Sequence, residues 1–262
     1  MPISLNYEIT SSTPAHPWLF LIHGLFGNLD NLAVVRRHFQ QAYNVVSIDL
    51  PDHGESPHTQ GFSFKECADG IAAIIESTGA KQAFILGHSL GGKAAMMTAL
   101  HYPDLVSALV VADIAPVTYP ARHNEIIRGL RAVELDNIEK RTDADKQLAR
   151  HIPEPGVRQF LLKSLYLNEG NEWRWRFNLE GIAAHYEAIR SWPPTDLEFT
   201  KDTLFIKGSR SDYLSSEYRS DVMKLFPAAK ARVIDGAGHW LHAEKPEAFN
   251  LAVERFVDSV AR

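Results

Sequence analysis

The 262-residue chain has one cysteine, Cys67, so no intrachain disulfide can form, and a reducing compartment suits it. The surrounding Phe64-Lys65-Glu66-Cys67-Ala68-Asp69 reads as a helix that leaves the thiol exposed to half-buried. Long hydrophobic runs are missing too: none approaches the roughly 18 residues of a membrane span. The opening Met1-Pro2-Ile3-Ser4-Leu5-Asn6 lacks the basic and apolar regions of a secretory leader. A cytoplasmic protein with no membrane partner is therefore expected. Nor is there a basic surplus. Lys and Arg total 27 against 32 for Asp and Glu, a net charge of −5, and the Arg36-Arg37 pair is no polybasic tract, so a nucleic-acid partner is disfavoured. Neither GxGxxG nor GxxxxGK[ST] occurs, which leaves nucleotide binding without a motif. His239 and His242 lie three apart, and His53 and His58 share a loop, but no cysteine or carboxylate completes a ligand set; no metal or other cofactor is expected. Internal repeats and low-complexity segments are absent, and nothing in the sequence assigns an oligomeric state.

What is present is ordinary globular material, 45% hydrophobic, 23% charged and 10% aromatic, long enough for one main domain. Short β-rich runs at 17–22, 45–49, 82–86 and 105–112 alternate with helical patterns at 32–41, 64–77 and 94–100, the rhythm of parallel βαβ units. The near-continuous apolar run Ala83-Phe84-Ile85-Leu86 suits a strand covered on both faces. From about Ala115 to Pro194 the β-branched runs vanish. Helical segments at 125–135, 157–167 and 180–189 follow one another with no strands between them, flanked by Pro116 and Pro120 on one side and Pro193-Pro194 on the other. This predicts a helical insertion. Strands at 203–207 and 231–235 and helices at 217–226 and 246–260 then resume the alternation. The expected class is α/β: a mostly parallel sheet with helices on both faces, a core of 1–114 and 195–262, and a helical cap of 115–194.

Gly87-His88-Ser89-Leu90-Gly91 falls between a buried strand and a helix start of small residues. A bare GxSxG is a common pattern; in a strand–turn–helix setting it is a nucleophile elbow, with flanking glycines relieving crowding around a strained serine. A serine hydroxyl at neutral pH needs a histidine to take its proton and a third group to hold the imidazole. Among twelve histidines, His239 in Asp235-Gly236-Ala237-Gly238-His239-Trp240 sits in a Gly-rich loop between the last strand and the last helix and is the expected base. His242 and His88 are expected to be structural. Two carboxylates compete as the third group. Asp113 follows a strand at its C-terminal end, where open α/β sheets gather site residues. Asp212 follows the next strand, one residue beyond the place, here Ser211, where many hydrolases of such a fold carry their acid. Asp113 is preferred and Asp212 remains the alternative. Backbone N–H groups of Leu25, after His23-Gly24, and Leu90, after the serine, are expected to hold the oxyanion. The loop Asp49-Leu50-Pro51-Asp52-His53-Gly54-Glu55-Ser56 is expected to support the site from outside.

Together these stretches resemble the α/β-hydrolase superfamily, and within it the YbfF-type esterases and abhydrolase-11-like proteins. The resemblance also rests on His23-Gly24-Leu25-Phe26-Gly27-Asn28, Asp113-Ile114-Ala115-Pro116-Val117, Phe160-Leu161-Leu162-Lys163-Ser164 with Trp175-Arg176-Phe177-Asn178, and Gly236-Ala237-Gly238-His239-Trp240-Leu241-His242. It implies a carboxylester hydrolase acting on a small-molecule acyl ester through an acyl-serine under a small helical cap, with acyl-CoA thioesters taken by some relatives. It also implies that the acid comes from the Asp113 position. Trp173, Trp175, Phe177, Tyr186 and Trp192 give the insertion an aromatic surface from which one or two residues are expected to line the acyl pocket. Ser89 speaks against dehalogenation, which uses an aspartate nucleophile. Carbon–carbon hydrolysis or lyase chemistry by the same groups, and a non-catalytic binding protein, are the competing readings.

Overall fold

A computed structural model describes residues 2–10, 13 and 15–260. In chain order its elements begin with β1 (Tyr7–Ile9), β2 (Trp18–Ile22), α1 (Ala33–Phe39), β3 (Asn44–Ile48), α2 (Phe64–Ser77), β4 (Ala83–His88), α3 (Leu90–His101) and β5 (Val106–Ala112). A long excursion follows, with α4 (Asn124–Arg131), α5 (Arg141–Leu148), α6 (Pro155–Leu162), β6 (Leu165–Leu167), β7 (Trp173–Trp175), α7 (Leu179–Ala184) and α8 (Tyr186–Arg190). The chain then adds β8 (Thr203–Gly208), α9 (Arg219–Leu225), β9 (Ala229–Ile234), α10 (Leu241–Glu244) and α11 (Pro246–Val260). Seven strands form one sheet in the order β1-β3-β2-β4-β5-β8-β9, parallel throughout except for β1 against β3. This is the α/β-hydrolase fold.

The period of two along each strand divides its side chains between two apolar layers. On β2, Leu19 and Leu21 join Val35 of α1 and Val253 of α11, while Phe20 and Ile22 join Ile71 of α2 and Met96 of α3. With helices on both faces, β3 and β4 are buried at every residue, as their apolar runs require. Helix α3 is buried from Leu90 to Leu100, and its Ala and Gly residues let it lie close on the sheet. Strand β9 closes the sheet at an exposed edge. Among the described residues no helix is long and apolar enough to cross a membrane.

Several expectations need correction. Cys67 is fully buried, because Phe64, Cys67, Ala68, Ile71, Ile74 and Ile75 fall at helical spacing on the inward stripe of α2. Burial pushes its thiol well above the usual range. The excursion also carries strands: β6 and β7 pair antiparallel, Leu165 opposite Trp175 and Leu167 opposite Trp173. Each strand is three residues of Leu, Tyr, Trp and Arg, too short and too poor in β-branched residues to show a period. Their turn is set by Asn168, whose Oδ1 accepts from Gly170 N and Glu172 N, each at 2.9 Å, and by Asn171 at φ 58. The expected helix at 157–167 accordingly stops at Leu162, and that at 180–189 is broken at His185 into α7 and α8. The short strand β1 and helix α5 have no counterpart in the expected pattern.

Candidate active site

The sheet delivers Ser89 at the tight turn between β4 and α3, with φ 53 and ψ −117. A residue bearing a Cβ is disfavoured there, and the surroundings hold it: Ser89 N donates to Ala112 O at 3.0 Å and Lys93 N to Ser89 O at 3.1 Å. A Cβ on Gly87 would lie 2.1 Å from the Gly91 carbonyl oxygen, and one on Gly91 would lie 2.3 Å from that of Ile22, so both flanking positions need glycine. The Ser89 hydroxyl caps no helix N–H. It faces His239 instead, with Oγ 3.0 Å from Nε2.

On the far side of the ring, His239 Nδ1 is 2.7 Å from Asp113 Oδ2. A carboxylate can only accept, so Nδ1 carries the proton and Nε2 is left to accept from the serine. Asp113, at the end of β5 with φ 55, is completely buried. Its Oδ1 accepts from Gly208 N at 3.1 Å and its Oδ2 also accepts from the Ser211 hydroxyl. Ser211 thus stands where the sequence pattern looks for an acid and donates instead to the carboxylate at the end of the neighbouring strand. Asp212 points away, 75% exposed, and pairs with Arg122 Nη1 at 2.6 Å. Ser89, His239 and Asp113 are therefore brought together, and Asp212 is not.

The loop bearing His239 is held by its neighbours. His88 Nε2–H donates to the His239 carbonyl at 2.8 Å, and the Tyr213 ring stacks on the imidazole at 3.9 Å and 21°. His242 is buried and packs against His88. In the turn after β2, Phe26 N–H is committed to His53 Nε2 at 3.1 Å. Leu25 N–H and Leu90 N–H donate to no protein acceptor among the described residues, and both residues line a pocket with Ser89.

That pocket, a cavity of about 40 Å³, is walled by Leu25, Leu90 and Ile114 from the core and by Tyr119, His123, Tyr186 and Ile189 from the excursion. Of the five aromatic residues from which one or two are expected to line the pocket, Tyr186 does so; Trp175 stacks on Phe177, which packs on Phe26, and Trp192 meets Phe64. Lys93, invisible as a site residue in a helix start of small side chains, also lines it. It is buried, donates to the carbonyls of Arg190 and Ser191 at 2.9 and 2.8 Å, and is pushed down to about 7 by burial and then by Arg190. Among the described residues no three of His, Cys, Asp and Glu converge as metal ligands.

Several of the supporting imidazoles are buried as neutral rings. Burial drives His53 and His242 down to about 3 each, with His23 adding to the effect on His53 and His239 to that on His242. The same desolvation lowers His23 and His88. Between those values and the 6.5 of an unfolded histidine, the unfolded chain binds more protons than the folded one, so stability rises with pH across that window. The contribution is complete above about pH 6.5 and is lost progressively as pH falls towards about 3. Calorimetry from pH 7.5 to 4 should show Tm dropping steadily below about pH 6, and more gently in His53→Gln. A flat Tm over that range would contradict neutral burial.

Comparison with known proteins places this geometry. The model of the alpha/beta hydrolase family matches residues 19–252. The esterase YbfF of Escherichia coli strain K12 is 38% identical over 98% of this chain and 100% of its own. The sn-1-specific diacylglycerol lipase ABHD11 of Mus musculus is 35% identical over 98% of this chain and 86% of its own. Among solved structures, a marine microorganism esterase superposes with a TM-score of 0.92 at 32% identity, covering 97% of this chain and 99% of that one. With the family model spanning most of the sheet and relatives aligned over nearly the full length, the chain belongs to the alpha/beta hydrolase family.

Proposed function

We propose that the protein is a serine carboxylester hydrolase in which Ser89, His239 and Asp113 form the catalytic triad. The observation that carries the reading is the continuous chain from Ser89 Oγ through His239 to a carboxylate with no solvent exposure, at 3.0 and 2.7 Å. The names of similar proteins, esterase and lipase, point to the same bond.

In this mechanism His239 Nε2 takes the Ser89 proton as Oγ attacks the acyl carbonyl. The oxyanion forms against Leu25 N–H and Leu90 N–H, donors already oriented and otherwise unused. Preorganised donors of this kind contribute about 2.7–4 kcal/mol each. His239 then passes its proton to the departing alcohol, leaving acyl-Ser89. A water molecule, deprotonated by the same nitrogen, attacks the acyl-enzyme through a second oxyanion and releases the carboxylic acid. Asp113 stays ionised throughout, fixing the tautomer and stabilising the imidazolium. An acyl thioester would follow the same steps with a thiol as leaving group. No cofactor enters, and the lone buried Cys67 goes with a cytoplasmic setting.

Residues 115–194 act in this reading as a cap on the core of 1–114 and 195–262, since Tyr119, His123, Tyr186 and Ile189 share the pocket with Ser89. A cavity of about 40 Å³, well below the roughly 300–1,000 Å³ common for ligand sites, favours short acyl chains. The direct test is a fluorophosphonate probe followed by peptide mapping and a chain-length series of p-nitrophenyl esters. Stoichiometric label on Ser89 is expected, with kcat/KM falling from butyrate towards palmitate. Label elsewhere, or none on folded protein, would sink the assignment.

A further inference from the structure

The hydroxyl of Ser164 lies far from the chemistry in sequence and touches neither Ser89 nor His239, yet it reaches the turn that supplies an oxyanion donor. We infer that Ser164 is a positioning residue: by holding the Phe26 carbonyl it lets the β6–β7 hairpin of the excursion fix Leu25 N–H in place. This rests on the triad reading above.

Phe26 is a poor residue for its own backbone. Its φ of 61 is in the left-handed region, disfavoured for a side chain with a Cβ, so the turn Gly24-Leu25-Phe26-Gly27 needs outside restraint to persist. Three contacts supply it. His53 Nε2 accepts Phe26 N–H at 3.1 Å, and His53 is itself fixed by Nδ1–H donating to Pro51 O at 2.8 Å. Phe177, just past β7, packs its ring on that of Phe26 at 5.2 Å. The Ser164 hydroxyl donates to Phe26 O at 2.8 Å. Both polar groups of the strained peptide are thus occupied, the N–H from the core and the carbonyl from the excursion.

Ser164 is well suited to act from that side. It is fully buried at the foot of β6, and its carbonyl accepts Arg176 N at 2.8 Å, so both legs of the hairpin meet at this residue. The second leg is clamped to the core next to His53. Asn178 N donates to Asp52 O and Asn178 Nδ2 to Asp52 Oδ1, each at 2.8 Å, and His53 bridges to Phe177. When the hairpin docks, Phe26 N–H and O are both satisfied and Leu25 N–H, one residue back, is the donor left facing the pocket. When it lifts, the Phe26 carbonyl loses its partner and the turn loses the restraint opposite His53. Docking of the excursion and completion of the oxyanion site are one event.

The test is Ser164→Ala, with kcat expressed per active site titrated to completion by fluorophosphonate, so that loss of folded protein does not count. Displacing a donor, without deleting it, should lower kcat about 10-fold or more at a KM within about twofold, because the ground-state carbonyl uses the oxyanion contacts little. Ser164→Thr, which keeps the hydroxyl, should recover most of the rate. If Ser164→Ala yields too little folded protein, Ser164→Cys keeps the size with a weak donor and should show the same fall in kcat. A kcat per titrated site within twofold of wild type in the Ala or Cys variant would overturn the inference and leave the triad reading intact. That reading fails separately, if Ser89→Ala stays active.

Discussion

Ser89→Ala is expected to lower kcat for a p-nitrophenyl ester by about 10⁵-fold or more, the scale seen when a triad nucleophile is removed, and to abolish fluorophosphonate labelling. Residual hydrolysis above the uncatalysed rate should persist, because the Leu25 and Leu90 N–H groups and the pocket remain. The fold should be untouched. The Ser89 side chain bonds only to His239 and caps no helix, so its loss leaves no buried group without a partner in the core. Alanine inherits the same strained φ of 53, and Gly87 and Gly91 still admit the turn. A Tm within a few degrees of wild type is therefore expected with the activity gone. A variant that folds and keeps more than about a hundredth of the wild-type kcat would remove Ser89 from the mechanism.

Apart from β1, the sheet was legible because its central strands are short apolar runs and helices α2 and α11 carry long stripes at helical spacing; both helices begin and end where the pattern places them. The three side chains that meet at the site were legible for a related reason: each sits in a local motif at the end of a strand. What stayed hidden are relations between distant segments. Nothing near Ser164 in sequence indicates that its hydroxyl reaches Phe26, 138 residues away, or that Lys93 reaches the carbonyls of Arg190 and Ser191, 97 and 98 residues on. The β6–β7 hairpin is fixed by an asparagine turn and docking onto the core, with too few residues to show a period. The rank of the two carboxylates was open for the same reason. Spacing reveals that Asp212 is one residue late, but only the folded loops show Ser211 turned towards Asp113 and Arg122 drawing Asp212 outward.

That sorting of carboxylates leads to the second large effect. Asp113→Asn is expected to lower kcat by about 10⁴-fold, whereas Asp212→Asn should stay within about threefold of wild type. An asparagine at 113 keeps the shape but not the polarity of the contact. Gly208 N–H donates to Oδ1, so the amide oxygen settles there and the amide NH₂ faces His239; the opposite orientation would set two donors against each other. Ser211 does not resist this, since its hydroxyl can turn and accept. Facing an N–H donor, His239 Nδ1 must become the acceptor and its proton moves to Nε2, the nitrogen 3.0 Å from Ser89 Oγ. The base then presents a proton where it should receive one. Asp212 is 75% exposed in a surface pair with Arg122, worth about 0–1 kcal/mol, and it reaches His239 only through Arg122 over the Tyr213 ring, so its neutralisation leaves the hydrogen bonds of His239 unchanged. The check is a parallel measurement of kcat and Tm on both variants. Comparable modest losses in the two would refute Asp113 as the acid, and a large loss confined to Asp212→Asn would transfer the role to the other loop.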